Sequence, residues 1–440
     1  MSLGNQTAAE NSIKAAPTKD FFIGMLTRDI ILERAIIDLI DNSIDGAKSL
    51  RGENSFEGLY IELVVNKDEF IIMDNCGGFS LDTARNYAFM FGRPESPEHG
   101  IKNSVGRFGV GMKRALFKIG NQFEVESQHK NEHFQIDVNV RDWSNRPDDW
   151  FFDYKLISSD TADLSNNGTY IRVCDLNSDV VQEFDSDNFI AGLQDEIERT
   201  LSFFLNRGIK ITLNDEVLKV KPLNFLESDF LKPYEETFSI KNVKIKVLCG
   251  IGKANPDLAG WYIYCNDRLV LEKDKTNLTG WDGHRINAGV QKFHHIYAMF
   301  RGAVFFTSED PKALPMTTTK TGIDANSIAY RATRIKMVAA MQQVISFLKT
   351  FNSDEEREEL YESSVETGVI ALRTNTYEKR FVAPMVADFT AATDNKATIA
   401  FKADKKVVES LKEYFKVNSN REYGEKLLAF FLRMENENLV

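Results

Sequence analysis

The chain has 440 residues and a formal net charge of −11 at pH 7. This length allows two or three hydrophobic cores, and the acidic balance gives no support for a broadly basic, DNA-binding surface. No apolar run approaches the ~20 residues of a membrane span. The four cysteines form no CxxC pair, which predicts reduced thiols and neither disulfide bonds nor a zinc site. Reduced thiols indicate a cytoplasmic setting. The N-terminus lacks the cationic and apolar pattern of a secretion signal.

The first informative segment is a predicted helix around Ala35–Ala47. Its apolar positions recur at helical spacing and form one stripe. Asp38, Asn42 and Asp45 stand at i, i+4 and i+7, so they share a second, polar face. A carboxylate one turn before a carboxamide can orient a water molecule and hold a hard cation with its phosphates. Taken alone, the pattern favours a helix with one solvated face.

Two further segments follow in chain order. The runs Tyr60–Val65 and Phe70–Met73 predict a β-hairpin, which places Asp74 at a strand end before the glycine turn that contains Gly78. A buried carboxylate there can accept a hydrogen bond from the amino group of a base, and glycine lets the backbone approach a planar ligand. Without the other segments, this would be an ordinary aspartate–glycine turn.

A glycine-rich loop then opens a predicted helix, because Gly106, Gly109 and Gly111 precede Lys113. Glycines at a helix start leave backbone N–H groups free, and these groups bind phosphate together with the positive end of the helix dipole. The segment lacks the P-loop pattern and the dinucleotide-binding fingerprint.

With these motifs in this order, the chain resembles the GHKL superfamily of ATPases, which includes gyrase, heat-shock chaperone ATPases, histidine kinases, MutL and MORC proteins. Within this superfamily, the sequence is most similar to MORC-type prokaryotic ATPases. The resemblance implies bound ATP and Mg²⁺, with Asp38 as general base and Asn42 as magnesium ligand. It also implies a nucleotide-binding set, which comprises Asn42, Asp45, Asp74, Gly78, Gly106, Gly109, Gly111, Lys113 and Thr169. In this set Asp74 and Thr169 bind adenine, and the last three glycines with Lys113 form the phosphate end of a lid over Leu81–Val105.

Two positions depart from the family pattern. Asp38 stands where most members have glutamate, and its side chain is one methylene shorter. A catalytic group displaced by ~1 Å can lose on the order of a hundredfold in rate. We therefore expect that this helix lies closer to the phosphates, that turnover is slow, or that binding matters more than hydrolysis. Cys76 replaces a motif glycine, and we interpret it as a small buried filler rather than a nucleophile.

The second half of the chain resembles the transducer domain that follows the ATPase in gyrase, MutL and MORC. Ala259–Val270 is similar to one of its strands, and Leu314–Asp324 is similar to its loop that brings a lysine to the γ-phosphate. Lys320 is that lysine by position, and the alternative is a solvated loop lysine. A cation delivered from a second domain can stabilise γ-phosphate charge, so we also assign Lys320 a catalytic role.

We therefore predict an α+β protein. A two-layer α/β sandwich ATPase of the Bergerat type is followed by a smaller α/β transducer domain and a C-terminal α/β extension. The predicted boundaries are a polar arm at 1–20, the ATP-binding domain at 21–200, the transducer-like domain at 201–352 and a C-terminal region without motifs at 353–440. Ile209–Val220 is predicted as a strand of the second domain. In the C-terminal region, periodicity predicts a strand at Thr398–Phe401 and two amphipathic helices, Lys405–Phe415 and Glu422–Met434.

The predicted function is that of a slow ATPase in which ATP closes the lid and promotes a homodimeric clamp, as in MORC and MutL proteins. The alternatives are a heat-shock-type chaperone and an ATP-gated scaffold that does not hydrolyse ATP. A histidine autokinase is disfavoured because no histidine precedes His99. DNA as a partner has no support from the net charge.

Overall fold

The computed structural model describes residues 18–28, 30–52, 55–90, 111–146, 148–157, 167–282, 291–317, 319–351, 353–384, 403–417 and 419–434. The chain divides into two units, Met1–Pro384 and Met385–Val440. In the described part of the chain, no helix combines the length and the apolar character that a membrane span requires.

The first unit contains a mixed eight-stranded sheet. In spatial order its strands are β5 (Tyr154–Leu156), β4 (Glu132–Asn139), β3 (Gly120–His129), β6 (Gly168–Leu176), β2 (Phe70–Asp74), β1 (Tyr60–Val65), β7 (Lys210–Leu213) and β8 (Glu216–Val217). Neighbouring strands are antiparallel except β1 and β7, which run parallel. The predicted hairpin is confirmed as β1 and β2, which pair Ile61 with Asp74 and Val65 with Phe70.

Helices accompany this sheet. They are α1 (Lys19–Arg28), α2 (Leu32–Arg51), α3 (Leu81–Thr83), α4 (Gly111–Ile119), α5 (Val140–Ser144), α6 (Ser178–Phe184), α7 (Asp187–Thr200) and α8 (Ser202–Asn206). The predicted apolar stripe of α2 is buried, since Ile36, Ile40 and Ile44 belong to the same core as strand residues such as Ile61 and Val173. Burial of this stripe fixes which face of α2 carries its polar residues.

A second, five-stranded sheet follows in the same unit. Its spatial order is β10 (Tyr234–Ile240), β11 (Val243–Ile251), β14 (Phe300–Thr307), β12 (Gly260–Cys265) and β13 (Arg268–Asp274). The long apolar helix α9 (Ile328–Leu348) packs against β11 and β14. A two-stranded sheet joins β9 (Asn224–Glu227) to β15 (Val365–Gly368), and α10 (Asp354–Glu362) and α11 (Val369–Thr374) flank β15.

Two predicted boundaries are corrected by strand pairing. The first sheet does not end before residue 200, because β7 pairs with β1 and β8 pairs with β7, so this sheet extends to Val217. The strand that we assigned to the second domain at 209–220 thus belongs to the first. Likewise, β15 lies beyond residue 352 yet pairs with β9, so the second domain continues past its predicted end. The α+β class with a large mixed sheet and further α/β structure is confirmed.

The second unit contains α12 (Lys405–Phe415) and α13 (Asn420–Met434) in its described residues. Asp404 caps α12 by accepting hydrogen bonds from the backbone N–H groups of Lys406 and Val407. Both helices were predicted from their periodicity. The strand predicted at 398–401 lies outside the described residues.

Candidate functional site

Helix α2 carries the acidic centre of the site. Asp38, Asp41 and Asp45 are buried, whereas Asn42 on the same helix is exposed. The helix therefore presents an accessible carboxamide one turn after a buried carboxylate, as the predicted motif requires. Asp41 was not among the predicted site residues, because its own spacing to Asn42 carries no recognisable signal.

Asp74 lies at the end of β2 in a dense hydrogen-bond environment. Its Oδ2 accepts a hydrogen bond from Ser43 Oγ at 2.6 Å, and its Oδ1 accepts one from the Cys76 backbone N–H at 2.8 Å. Burial raises the pKa of Asp74, and the hydrogen bonds from Ser43, Cys76 and the Thr169 backbone offset part of this increase. Thr169 pairs directly with Asp74 across β6 and β2, so the two predicted adenine contacts are adjacent.

Glycines allow the backbone around Asp74 to pack closely. A Cβ atom on Gly168 would lie 1.9 Å from the Asp74 carbonyl oxygen, and one on Gly78 would lie 2.2 Å from the Gln128 carbonyl oxygen. Gly78 also has φ +59°, a conformation that favours glycine. Gly46 of α2 faces the Cys76 carbonyl oxygen with only 2.7 Å for a Cβ. Cys76 itself is buried, and burial raises the pKa of its thiol, which agrees with a filler role.

Asp38 contacts two cations that come from different parts of the chain. Its Oδ2 accepts a hydrogen bond from Arg114 Nη2 at 2.5 Å, and its Oδ1 lies 3.1 Å from Lys320 Nζ without hydrogen-bond geometry. Burial alone raises the pKa of Asp38, but Lys320, Arg268 and Arg114 outweigh it, so the pKa of this carboxyl lies below its usual value. Asp38 is thus held as a carboxylate.

Lys320 reaches this centre from the loop between β14 and α9. Its Nζ donates a hydrogen bond to Asp41 Oδ2 at 2.7 Å, and its side chain is buried. Burial lowers the pKa of Lys320, but Asp38 and Asp41 raise it above the ordinary value. The structure therefore excludes the alternative of a solvated loop lysine.

Arg268 completes the cluster of charges. Its Nε lies 3.0 and 2.9 Å from the two carboxylate oxygens of Asp41, and it is fully buried. We refer to Asp38, Asp41, Arg114, Arg268 and Lys320 as the charge cluster. Three cations face two carboxylates, which leaves an excess of one positive charge in a buried position. Such an excess favours an anionic ligand beside the cluster.

The start of α4 lies against Asp38. A Cβ atom on Gly111 would stand 3.4 Å from Asp38 Oδ2. The short side chain of aspartate thus fits beside a helix start that approaches closely. Whether α2 lies closer to the phosphates, as expected for the missing methylene, stays a prediction. The predicted loop glycines Gly106 and Gly109 lie outside the described residues.

Lys113 is placed differently from what its motif predicts. Its side chain is buried, and its Nζ donates hydrogen bonds to the carbonyl oxygens of Ala88 at 2.6 Å and Met90 at 2.7 Å. These carbonyls end the helical turns that follow Ser80, in the described part of the predicted lid. A direct phosphate contact by Lys113 would require it to leave both carbonyls.

Three members of the charge cluster were missed by sequence reasoning. Asp41 and Arg114 are immediate neighbours of motif residues, and Arg268 lies in a segment recognised only as a strand. Arg268 is separated from Asp41 by 227 positions in the chain. The one available signal was a charged residue inside an apolar strand pattern, since such residues are seldom buried without a partner.

A family model confirms the superfamily that the motifs indicate. The model described as "Histidine kinase-, DNA gyrase B-, and HSP90-like ATPase" matches residues 30–169. This segment includes α2, the β1–β2 hairpin, the start of α4 and Thr169. No curated protein matches the chain. Residues 30–169 are therefore a domain of the GHKL ATPase superfamily, a class of domain that binds ATP.

Proposed function

We propose that this protein is an ATP-driven conformational machine that hydrolyses ATP slowly and reports the γ-phosphate to its second domain. The observation that carries the proposal is the contact of Lys320 with Asp38 and Asp41. A lysine from the loop after the second sheet enters the polar centre of the ATPase domain. The position of this loop is thereby tied to the charge at that centre.

The proposed roles follow the chemistry of each side chain. Asp38 accepts a proton from the attacking water, and Asp74 with Thr169 holds the adenine amino group. The exposed carboxamide of Asn42 would hold Mg²⁺, which neutralises phosphate charge when it is bound. Among the described residues, no group of three or more His, Cys, Asp or Glu side chains is arranged to bind a metal ion.

Slow turnover is supported by the contacts of the base. Asp38 is paired with Arg114 and Lys320, and both cations hold its pKa low. A carboxylate of low pKa is a weak base, so one of these cations has to move toward the phosphates before Asp38 can accept a proton. The contact of Lys320 with Asp38 Oδ1 is not a hydrogen bond, so Lys320 can leave Asp38 while it keeps its hydrogen bond to Asp41.

Nucleotide-dependent dimerisation is part of the proposal. Helix α1 exposes the apolar side chains of Phe21 and Met25, which stand one helical turn apart. An exposed apolar pair at the N-terminal side of the ATPase domain supports contact with a second copy of the chain. The resemblance to MutL and MORC proteins implies the same arrangement, in which ATP-bound subunits associate.

The decisive experiment measures ATP turnover together with molar mass by light scattering. We expect a monomer or loose dimer with ADP and a tighter dimer with a non-hydrolysable ATP analogue. Lys320→Ala should keep most of the ATP affinity, because the adenine and magnesium contacts remain, but slow turnover and weaken ATP-driven association. Lys312→Ala removes an exposed lysine from the same chain segment and serves as the matched control. An unchanged mass across nucleotides, or normal turnover in Lys320→Ala, would leave an ATPase domain without the proposed clamp.

The raised pKa of Asp74 makes adenine binding pH dependent. The carboxylate is a stronger acceptor for the amino proton than the neutral acid, so affinity should fall as the pH is lowered, starting at a higher pH than for an ordinary aspartate. Adenosine is the suitable probe, because its binding involves no phosphate titration. Calorimetry between about pH 5 and 8 measures the acid limb.

Ser43→Ala provides the control for this pH dependence. The Ser43 hydroxyl stabilises the Asp74 carboxylate, so its removal should shift the loss of adenosine affinity to a still higher pH. An acid limb that stays in place in Ser43→Ala would assign the titration to another group.

A further inference from the structure

A tight turn joins β12 and β13 at the edge of the charge cluster. Its two central residues, Asn266 and Asp267, have φ +46° and φ +72°. Two consecutive residues with positive φ are typical of the two-residue hairpin turn whose twist matches its strands. The turn places Arg268 at the first position of β13.

Side-chain contacts fix this turn in place. Asn266 donates a hydrogen bond from Nδ2 to the Ser308 carbonyl oxygen and accepts one at Oδ1 from the Ser308 N–H, both at 3.0 Å. The buried carboxylate of Asp267 is held between Arg207 of the segment after α8 and Arg373 of α11. Arg268 therefore projects from a backbone that is anchored on both sides.

Arg268 contacts Lys320 directly and also through Asp41. Its Nη1 donates a hydrogen bond to the Lys320 carbonyl oxygen at 2.7 Å. Through Asp41, which accepts hydrogen bonds from both residues, it also fixes the position of the Lys320 ammonium. One guanidinium thus controls both the backbone and the charged end of the same lysine.

The backbone of Lys320 needs such support. Its φ of +55° lies in the left-handed region, which is unfavourable for a non-glycine residue. Within the loop, the Lys320 N–H donates a hydrogen bond to the Thr317 carbonyl oxygen at 3.1 Å. Strained backbone persists where neighbouring contacts determine it, and Arg268 is the neighbour that comes from outside the loop.

We propose that Arg268 is a positioning residue that acts through Lys320, with Asp41 as the acceptor that joins the two. The inference rests on the proposed function, because Lys320 is the group that meets the γ-phosphate. Arginine suits this role since its planar fork binds a carboxylate and a carbonyl at once, whereas a lysine presents a single nitrogen.

Arg268→Lys tests the role while it keeps the positive charge. We expect kcat for ATP to fall by about 10- to 100-fold, because a reacting group displaced by ~1 Å loses that much. KM should stay within about threefold of wild type, since neither adenine nor magnesium contacts change. Arg301→Lys is the matched control: Arg301 is also buried in the second sheet, and it donates to the carbonyls of Ala298, Phe300 and Lys253.

A double-mutant cycle separates positioning from general structure. If Arg268 acts through Lys320, Arg268→Lys should have no further effect on kcat in a Lys320→Ala background. Losses that multiply in the double variant would overturn the proposal. Asp41→Asn, which is nearly isosteric, is the second variant should Arg268→Lys fold poorly, and it should show the same dependence on Lys320.

Acetylation followed by mass spectrometry tests whether Arg268 positions Lys320, and it does not depend on ATP turnover. The buried Lys320 should be protected in wild type and in Arg301→Lys, and labelled several-fold more in Arg268→Lys. The buried Lys113 should stay protected in all three proteins, which excludes unfolding as the cause. If Lys320 is labelled more in Arg268→Lys but the wild-type protein has no ATPase activity, the proposed function is refuted and the positioning role remains. Unchanged labelling together with unchanged kcat would refute positioning alone.

Discussion

Replacement of Asp38 by asparagine should lower ATP turnover by about 10²- to 10⁴-fold, the usual contribution of a general base. A carboxamide cannot accept the proton of water, but it preserves the shape of the side chain beside Gly111. Binding of magnesium-ATP should persist, as measured by calorimetry. Asn42→Ala should instead abolish magnesium-ATP binding, and turnover with it, because the cation loses its one proposed protein ligand on α2.

The Asp38→Asn substitution also changes the charge balance of the site. With Asp38 neutral, Arg114, Arg268 and Lys320 face only Asp41, so the melting temperature should fall as well. ATP binding in the variant therefore doubles as the test that it is folded. Wild-type turnover in a folded Asp38→Asn protein would show that another group is the base.

Gly168→Ala should be among the most damaging single substitutions in the ATPase domain. The added Cβ would stand 1.9 Å from the Asp74 carbonyl oxygen, so β2 and β6 have to separate where Asp74 and Thr169 pair. We expect a stability loss of about 3 kcal/mol, at the upper end for overpacking, together with loss of adenosine binding. Denaturant unfolding and calorimetry measure the two effects.

Gly192→Ala is the control for this substitution. Gly192 lies in α7, and a Cβ atom added there would meet no atom within 4 Å, so alanine should stabilise the protein by about 0.5–1 kcal/mol. Normal adenosine affinity in Gly168→Ala would contradict the placement of adenine beside Asp74 and Thr169.

Local patterns in the sequence were sufficient to predict the helix and the hairpin that carry the site. The apolar stripe of α2 and the alternation of the β1–β2 hairpin depend on neighbours along the chain, and both are confirmed. The lysine loop was placed by its resemblance to a transducer, and the structure brings Lys320 to Asp38. The roles of these residues in catalysis stay predictions.

Long-range pairing was beyond the same reasoning. Strand β7 has the alternation of any short strand, and nothing in its own residues indicates that it pairs with β1 rather than with the second sheet. The contacts of Arg268 depend on how two domains pack, which no periodicity records. The phosphate contact of Lys113 stays a prediction, because its amine donates hydrogen bonds to two carbonyls in the structure.

The turn between β12 and β13 also constrains how this chain can diverge. Hairpin loops usually accept inserted residues at little cost in stability. Here three successive residues meet different partners: Asn266 meets Ser308, Asp267 meets Arg207 and Arg373, and Arg268 meets Asp41. One inserted residue would misalign all of these pairs together. The length of this turn should therefore be as restricted as the identity of any residue in the site.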